Sequence, residues 1–87
     1  MLKISEDFIL KTIGNETVVV ISGATSLTMD AMLRLNDSGT LLFKALKKGT
    51  TEDALVASLM TQYDVSIEQA TQDVMTFINT LKRHQIL

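Results

Sequence analysis

The sequence has no cysteine and no proline, a single histidine, and no basic residue between Gly49 and Leu81. Without cysteine there is no disulfide framework and no thiolate site, which fits a reducing compartment and makes the cytoplasm the expected location. His84, three residues from the C-terminus beside Lys82 and Arg83, reads as a helix-end cation and not as a general base or metal ligand. No D-x-[DN]-x-[DN]-G run suits calcium, and no glycine-rich loop follows a strand to cradle phosphate. Convergent titratable groups are therefore missing, so no enzymatic activity, metal or cofactor is expected. Long apolar runs are missing too. None approaches the roughly 18 residues of a membrane span, and Glu6 and Asp7 fall where a signal peptide would carry its apolar core. The expectation is a soluble, untargeted protein with no membrane partner.

What is present suits a packed domain. Of the 87 residues, 46% are hydrophobic and 21% charged, too apolar for a disordered tail. One domain spanning 1–87 is expected. A chain this short removes only about 60–65% of its unfolded surface from water, so its core is thin and stability gains from docking or dimerisation.

The first third reads as strand. Phe8 to Ile13 and Thr17 to Ser22 are rich in β-branched residues and are joined by Gly14-Asn15-Glu16, where Gly14 and Asn15 tolerate the positive φ of a tight hairpin. Val18 to Ile21 does not alternate, which suggests a central strand covered on both faces. Ala31 to Leu35 offers a shorter third strand, at the edge of a three-stranded meander.

After it, everything reads as helix. Asn36 is placed as an N-cap, Asp37 adds charge at the positive end of the dipole, and Lys47-Lys48-Gly49 closes the far end, giving a helix over about 37–48. Gly39, in the first turn, costs roughly 1 kcal/mol against Ala and is read as a point of close packing. A second helix over about 51–63 carries a Leu55, Leu59, Tyr63 stripe, with Glu52 and Asp53 as first-turn acids. A third over about 67–83 opens with Ser66 and Gln69 spaced as a capping box and Val65 placed to staple onto Ala70. Its core stripe is read as Ile67, Ala70, Val74, Phe77 and Leu81, leaving Met75 and Ile78 on a flank that wants a cover.

Strands followed by helix, turn, helix make an α+β, winged-helix-like fold with a three-stranded antiparallel sheet and three helices. A DNA-binding regulator of that architecture needs a basic footprint. The start of the third helix carries Glu68 and Asp73 instead, so nucleic acid is not the expected partner.

The run "LNDSGTLLFKAL", followed by "GTTEDALVASLMTQYDVSIEQATQDVMTFINTLKRHQIL", resembles the pyrroloquinoline-quinone synthesis protein D (PqqD) family. The residues that carry the likeness are Leu35, Asn36, Ser38, Gly39, Leu42, Gly49, Thr50, Tyr63, Asp64 and Val65, and it extends over about Phe8 to Leu87. The resemblance implies a winged-helix-like recognition element without catalytic residues. Such a module holds the leader segment of a ribosomally made precursor peptide and presents it to a modifying enzyme, often a radical-SAM enzyme, within quinone-cofactor synthesis or another peptide-modification cluster. The leader is expected to add as a strand to the third strand and to lie against the third helix.

An unpaired edge offers main-chain donors and acceptors for strand addition, while flanking side chains set specificity. The expected peptide-binding residues are Met32, Leu33, Arg34 and Leu35 on the edge, Met75 and Ile78 as apolar cover, and Lys82, with Arg34, as a partner for leader acids. Asn36, Gly39 and Ser66 are given structural roles. The rival readings are a winged-helix DNA-binding regulator and a structural docking or dimerisation subunit, since a homodimer pairing its third strands would use the same edge.

Overall fold

The computed structural model describes residues 1–21 and 33–87. Ala31 and Met32, expected at the start of the third strand, and Ser22, expected at the end of the second, lie outside the described residues. Three strands, β1 (Phe8–Ile13), β2 (Glu16–Ile21) and β3 (Leu33–Leu35), precede three helices, α1 (Asp37–Lys48), α2 (Glu52–Gln62) and α3 (Ile67–Arg83). The sheet is antiparallel in the order β1-β2-β3, an α+β arrangement consistent with a winged helix.

The β1–β2 hairpin turns on Gly14 and Asn15, with Ile13 opposite Glu16. Only Gly14 takes a positive φ, +61°, which is the pattern of a type II′ turn with glycine first. As the central strand, β2 buries Val18, Val19 and Val20 on alternating faces. Val19 shares a face with Leu33 and Leu35 and joins the helical core; Val18, opposite Arg34, lies on the other face.

Each helix starts on a side-chain cap. Asn36 Oδ1 accepts from Gly39 N at 2.8 Å, Thr51 Oγ1 from Ala54 N at 3.2 Å, and Ser66 Oγ from Gln69 N at 3.1 Å. The capping box at α3 is only half made: the Gln69 amide donates forward to Asp73 Oδ1 at 2.8 Å instead of reaching back. α1 ends on Gly49, whose φ of +95° few L side chains adopt.

Two elements hold the ends. The N-terminal segment bridges antiparallel to the α1–α2 link through Leu2 and Thr50, and Ile4, fully buried, donates its N–H to Leu46 O at 2.9 Å. Lys47 fastens the same segment, donating from Nζ to Ser5 O at 3.1 Å and Phe8 O at 2.8 Å. At the other end Ile86 N donates to Leu81 O and Gln85 N to Lys82 O, the two bonds of a Schellman motif, and Ile86 folds back into the core.

The core lies between the sheet face carrying Val19 and the three helices, centred on Phe43, Leu46, Leu55, Leu59, Val74 and Leu81. α3 contributes Ala70, Val74, Ile78 and Leu81. This corrects the expected stripe. Ile67 is 57% exposed and Phe77 half-buried, whereas Ile78 is 3% exposed and part of the core. The buried face is turned by about one residue from the sequence reading, because both Phe77 and Ile78 stand at helical spacing from Val74 and only the positions of α1 and the sheet decide between them.

Candidate functional site

β3 pairs with β2 along one side and, among the described residues, with no strand along the other. Main-chain groups of successive residues point to opposite edges, so a three-residue strand turns those of one or two residues outward, about two to four hydrogen-bonding groups. Beside that edge is an open cavity of about 470 Å³ bounded by Leu33, Arg34 and Leu35 of β3, by Glu16 and Thr17 of β2, and by Phe77 and Thr80 of α3.

Asn36 and Gly39 form its inner end, for a local reason. The strand stops at Leu35 and the helix starts at Asp37, so one residue both ends the sheet and caps α1. Asn36 Oδ1 also accepts from Ser38 Oγ at 3.0 Å, which locks the cap. Gly39 is buried where three elements converge. A Cβ there would lie 3.2 Å from Asn36 Oδ1, 3.4 Å from Phe77 Cε1 of α3 and 3.5 Å from Leu35 Cβ of β3. The missing side chain leaves the inner end open and lets Phe77 approach α1. From here the cleft continues along α3 past Ser38, Asp73 and Thr76, and reaches Tyr63 and Val65 at the α2–α3 turn.

The expected binding residues separate in space. Leu33 and Leu35 sit on the edge, half-buried against the core. Arg34 points to the other sheet face and pairs with Glu16 Oε1 at 3.2 Å, both side chains well exposed. Such a surface pair contributes only about 0–1 kcal/mol, so an incoming carboxylate can replace Glu16 at little cost. Met32 lies outside the described residues. Ile78 is buried in the core, so the expected uncovered flank at that position is corrected, and Ile78 offers no surface to a peptide. Met75 lines a different cleft, between α2 and α3. Two residues on a helix are about 200° of rotation, so Met75 and Phe77 face opposite flanks of α3. Lys82, seven residues beyond Met75, shares the Met75 flank.

Phe77 and Thr80 were missed as groove residues. Phe77 continues the Ala70, Val74 spacing, which in sequence marks a core position; Thr80 carries no sequence signal, being polar on a helix. Thr80 Oγ1 donates to Thr76 O at 2.9 Å, and its carbonyl lies 2.9 Å from His84 Nδ1, which fixes the C-terminal turn beside the cavity. No cluster of metal-ligating side chains exists among the described residues, and no polar side chain is buried there.

A strand edge that is unpaired among the described residues lies next to an aromatic-lined cleft, the geometry that strand-adding binding modules share. The chain belongs to the family described as Coenzyme PQQ synthesis protein D, whose model matches residues 12–87. Among solved structures, "TbiB1 in Complex with the TbiA(beta) Leader Peptide" has a similar fold, with a TM-score of 0.76 and 21% sequence identity, covering 99% of this chain and 94% of that one. No curated protein matches this sequence.

Proposed function

We propose that this chain is a non-catalytic accessory protein of the cytoplasm that binds the leader segment of a ribosomally made precursor peptide and presents the remainder to a modifying enzyme, of the radical-SAM or another peptide-tailoring type. The observation that carries the reading is the β3 edge, unpaired among the described residues, beside the cavity bounded by Phe77 and Thr80. Family membership supports it, as does the shared fold with TbiB1, which is described in complex with a leader peptide.

Energetics say how the two parts divide the work. Two to four main-chain bonds at about 0.5–1.5 kcal/mol each give at most roughly 6 kcal/mol, short of the ~8 kcal/mol of micromolar binding even before any ordering cost. Burying about 100 Å² of apolar surface adds roughly 2.5 kcal/mol. The leader therefore needs an apolar side chain against Phe77, Leu33 and Leu35, and the strand bonds alone do not hold it.

The test is calorimetry with a synthetic leader peptide of the cognate precursor. Thr80→Trp fills the groove from the helix surface and is expected to weaken binding by about tenfold or more, while Met75→Ala on the opposite flank stays within about twofold. Equal affinity for wild type and Thr80→Trp, with helical circular dichroism unchanged, contradicts the placement. Dimerisation through β3, the competing use of the edge, would show as a sedimentation coefficient that falls when leader is added.

A further inference from the structure

The flank of α3 turned away from β3 carries a second surface. There α2 and α3 leave a cleft of about 320 Å³, lined on its apolar side by Val56, Met60, Ile67 and Met75 and on its rim by Glu52 and Asp53. Met60, Ile67 and Met75 are 42%, 57% and 46% exposed, although a helix pair with one buried face would place polar residues there. Flexible thioethers on both walls let the cleft repack around a side chain inserted from outside. An apolar cleft between two helices suits a third helix laid against it, with apolar residues at i, i+3, i+4 and i+7.

Charge decides what kind of helix. Glu52 and Asp53 are exposed on one wall and Glu68 follows Ile67 on the other, while no lysine or arginine occurs from Gly49 to Leu81. The nearest cation along α3, Lys82, lies about 10 Å beyond Met75. A second copy of this chain would bring one acidic rim against another, so self-association through this cleft is disfavoured.

We propose that the α2–α3 cleft docks a cationic amphipathic helix belonging to the enzyme that modifies the bound peptide. Leader groove and cleft lie on opposite flanks of one helix, so both are occupied at once and the enzyme is held next to its substrate at high effective concentration. The assignment of the helix to that enzyme rests on the leader-presenting reading; the preference for a cationic amphipathic helix rests on exposure and charge alone.

The probe is a synthetic Leu/Lys amphipathic helix of roughly four turns, with a Leu/Glu helix of the same pattern as control, titrated into isotope-labelled full-length chain with and without leader. The Leu/Lys helix is expected to shift the amides of Met60, Ile67, Thr71 and Met75, to bind equally well to leader-loaded protein, and to weaken with salt. The double variant Ile67→Lys, Met75→Lys is expected to lose about tenfold or more in affinity, and Arg34→Ala none. The proposal is overturned by equal binding of the Leu/Glu helix, by Leu/Lys shifts centred on Asp37 and Asp73 instead, or by concentration-dependent shifts at Met75 without any peptide, which would mark a homodimer. Loss of leader binding with the Leu/Lys shifts intact refutes the leader reading and leaves the cleft assigned.

Discussion

Gln85 is the only non-glycine residue at positive φ among the described residues, at 60°, the C′ position of the Schellman motif that closes α3. An L side chain there costs about 1–2 kcal/mol, and glycine's greater freedom in the unfolded chain returns about half of that. Gln85→Gly is therefore expected to raise unfolding free energy by up to about 1 kcal/mol in urea titration; a loss of stability would show that the Gln85 side chain makes a contact worth more than the strain. The caps Asn36 and Ser66 were legible in the sequence because they depend on neighbours three residues away and each precedes an apolar-periodic run, whereas Thr51, expected as the first residue of the second helix, is its cap. The cleft that each apolar residue of α3 lines was less legible. Met75 and Phe77 are both apolar residues on one helix, and their opposite flanks became distinct only once α2 and β3 were placed on either side.

At the scale of elements, the three strands and three helices were legible from β-branched runs, turn glycines and caps. The N-terminal strap was not. Leu2 and Ile4 flank Lys3 in a stretch with no local signal, and their partners, Thr50 and Leu46, are more than forty residues along the chain. Ile4 is fully buried, so Ile4→Ala is expected to cost about 2–4 kcal/mol, a large share of what an 87-residue domain has, measured as a fall in urea midpoint. A change under about 0.5 kcal/mol would mean the strap is dispensable. β3 is the converse case. Its three residues pair on one side only among the described residues, and under the proposed function a leader strand on the other edge would complete it.

For the whole molecule, a thin core makes stability sensitive to anything that binds the native state, as the proposed leader would. Leader at a hundredfold above its Kd is expected to add about 2.7 kcal/mol, a rise in thermal midpoint on the order of 10 °C. No rise, with binding seen by calorimetry, would place the peptide on the unfolded chain or on a segment uncoupled from folding. DNA is expected to give no such shift even at low salt, because the start of α3 is acidic, with Glu68 and Asp73 exposed and no cation before Lys82. The architecture and the family were legible because the helical punctuation and the family resemblance cover most of the chain. The division of α3 into a flank beside β3 and a flank beside α2 was not, since it depends on rotation of the helix against its neighbours by a single residue.

Strand addition to β3 is tested most directly by leaving the protein untouched and methylating the leader's backbone nitrogens one at a time. An added strand turns alternate N–H groups toward β3, so affinity is predicted to fall by about tenfold at every second position and to change little at the positions between. Losses spread evenly along the peptide, or repeating every three to four residues as in a bound helix, would contradict it.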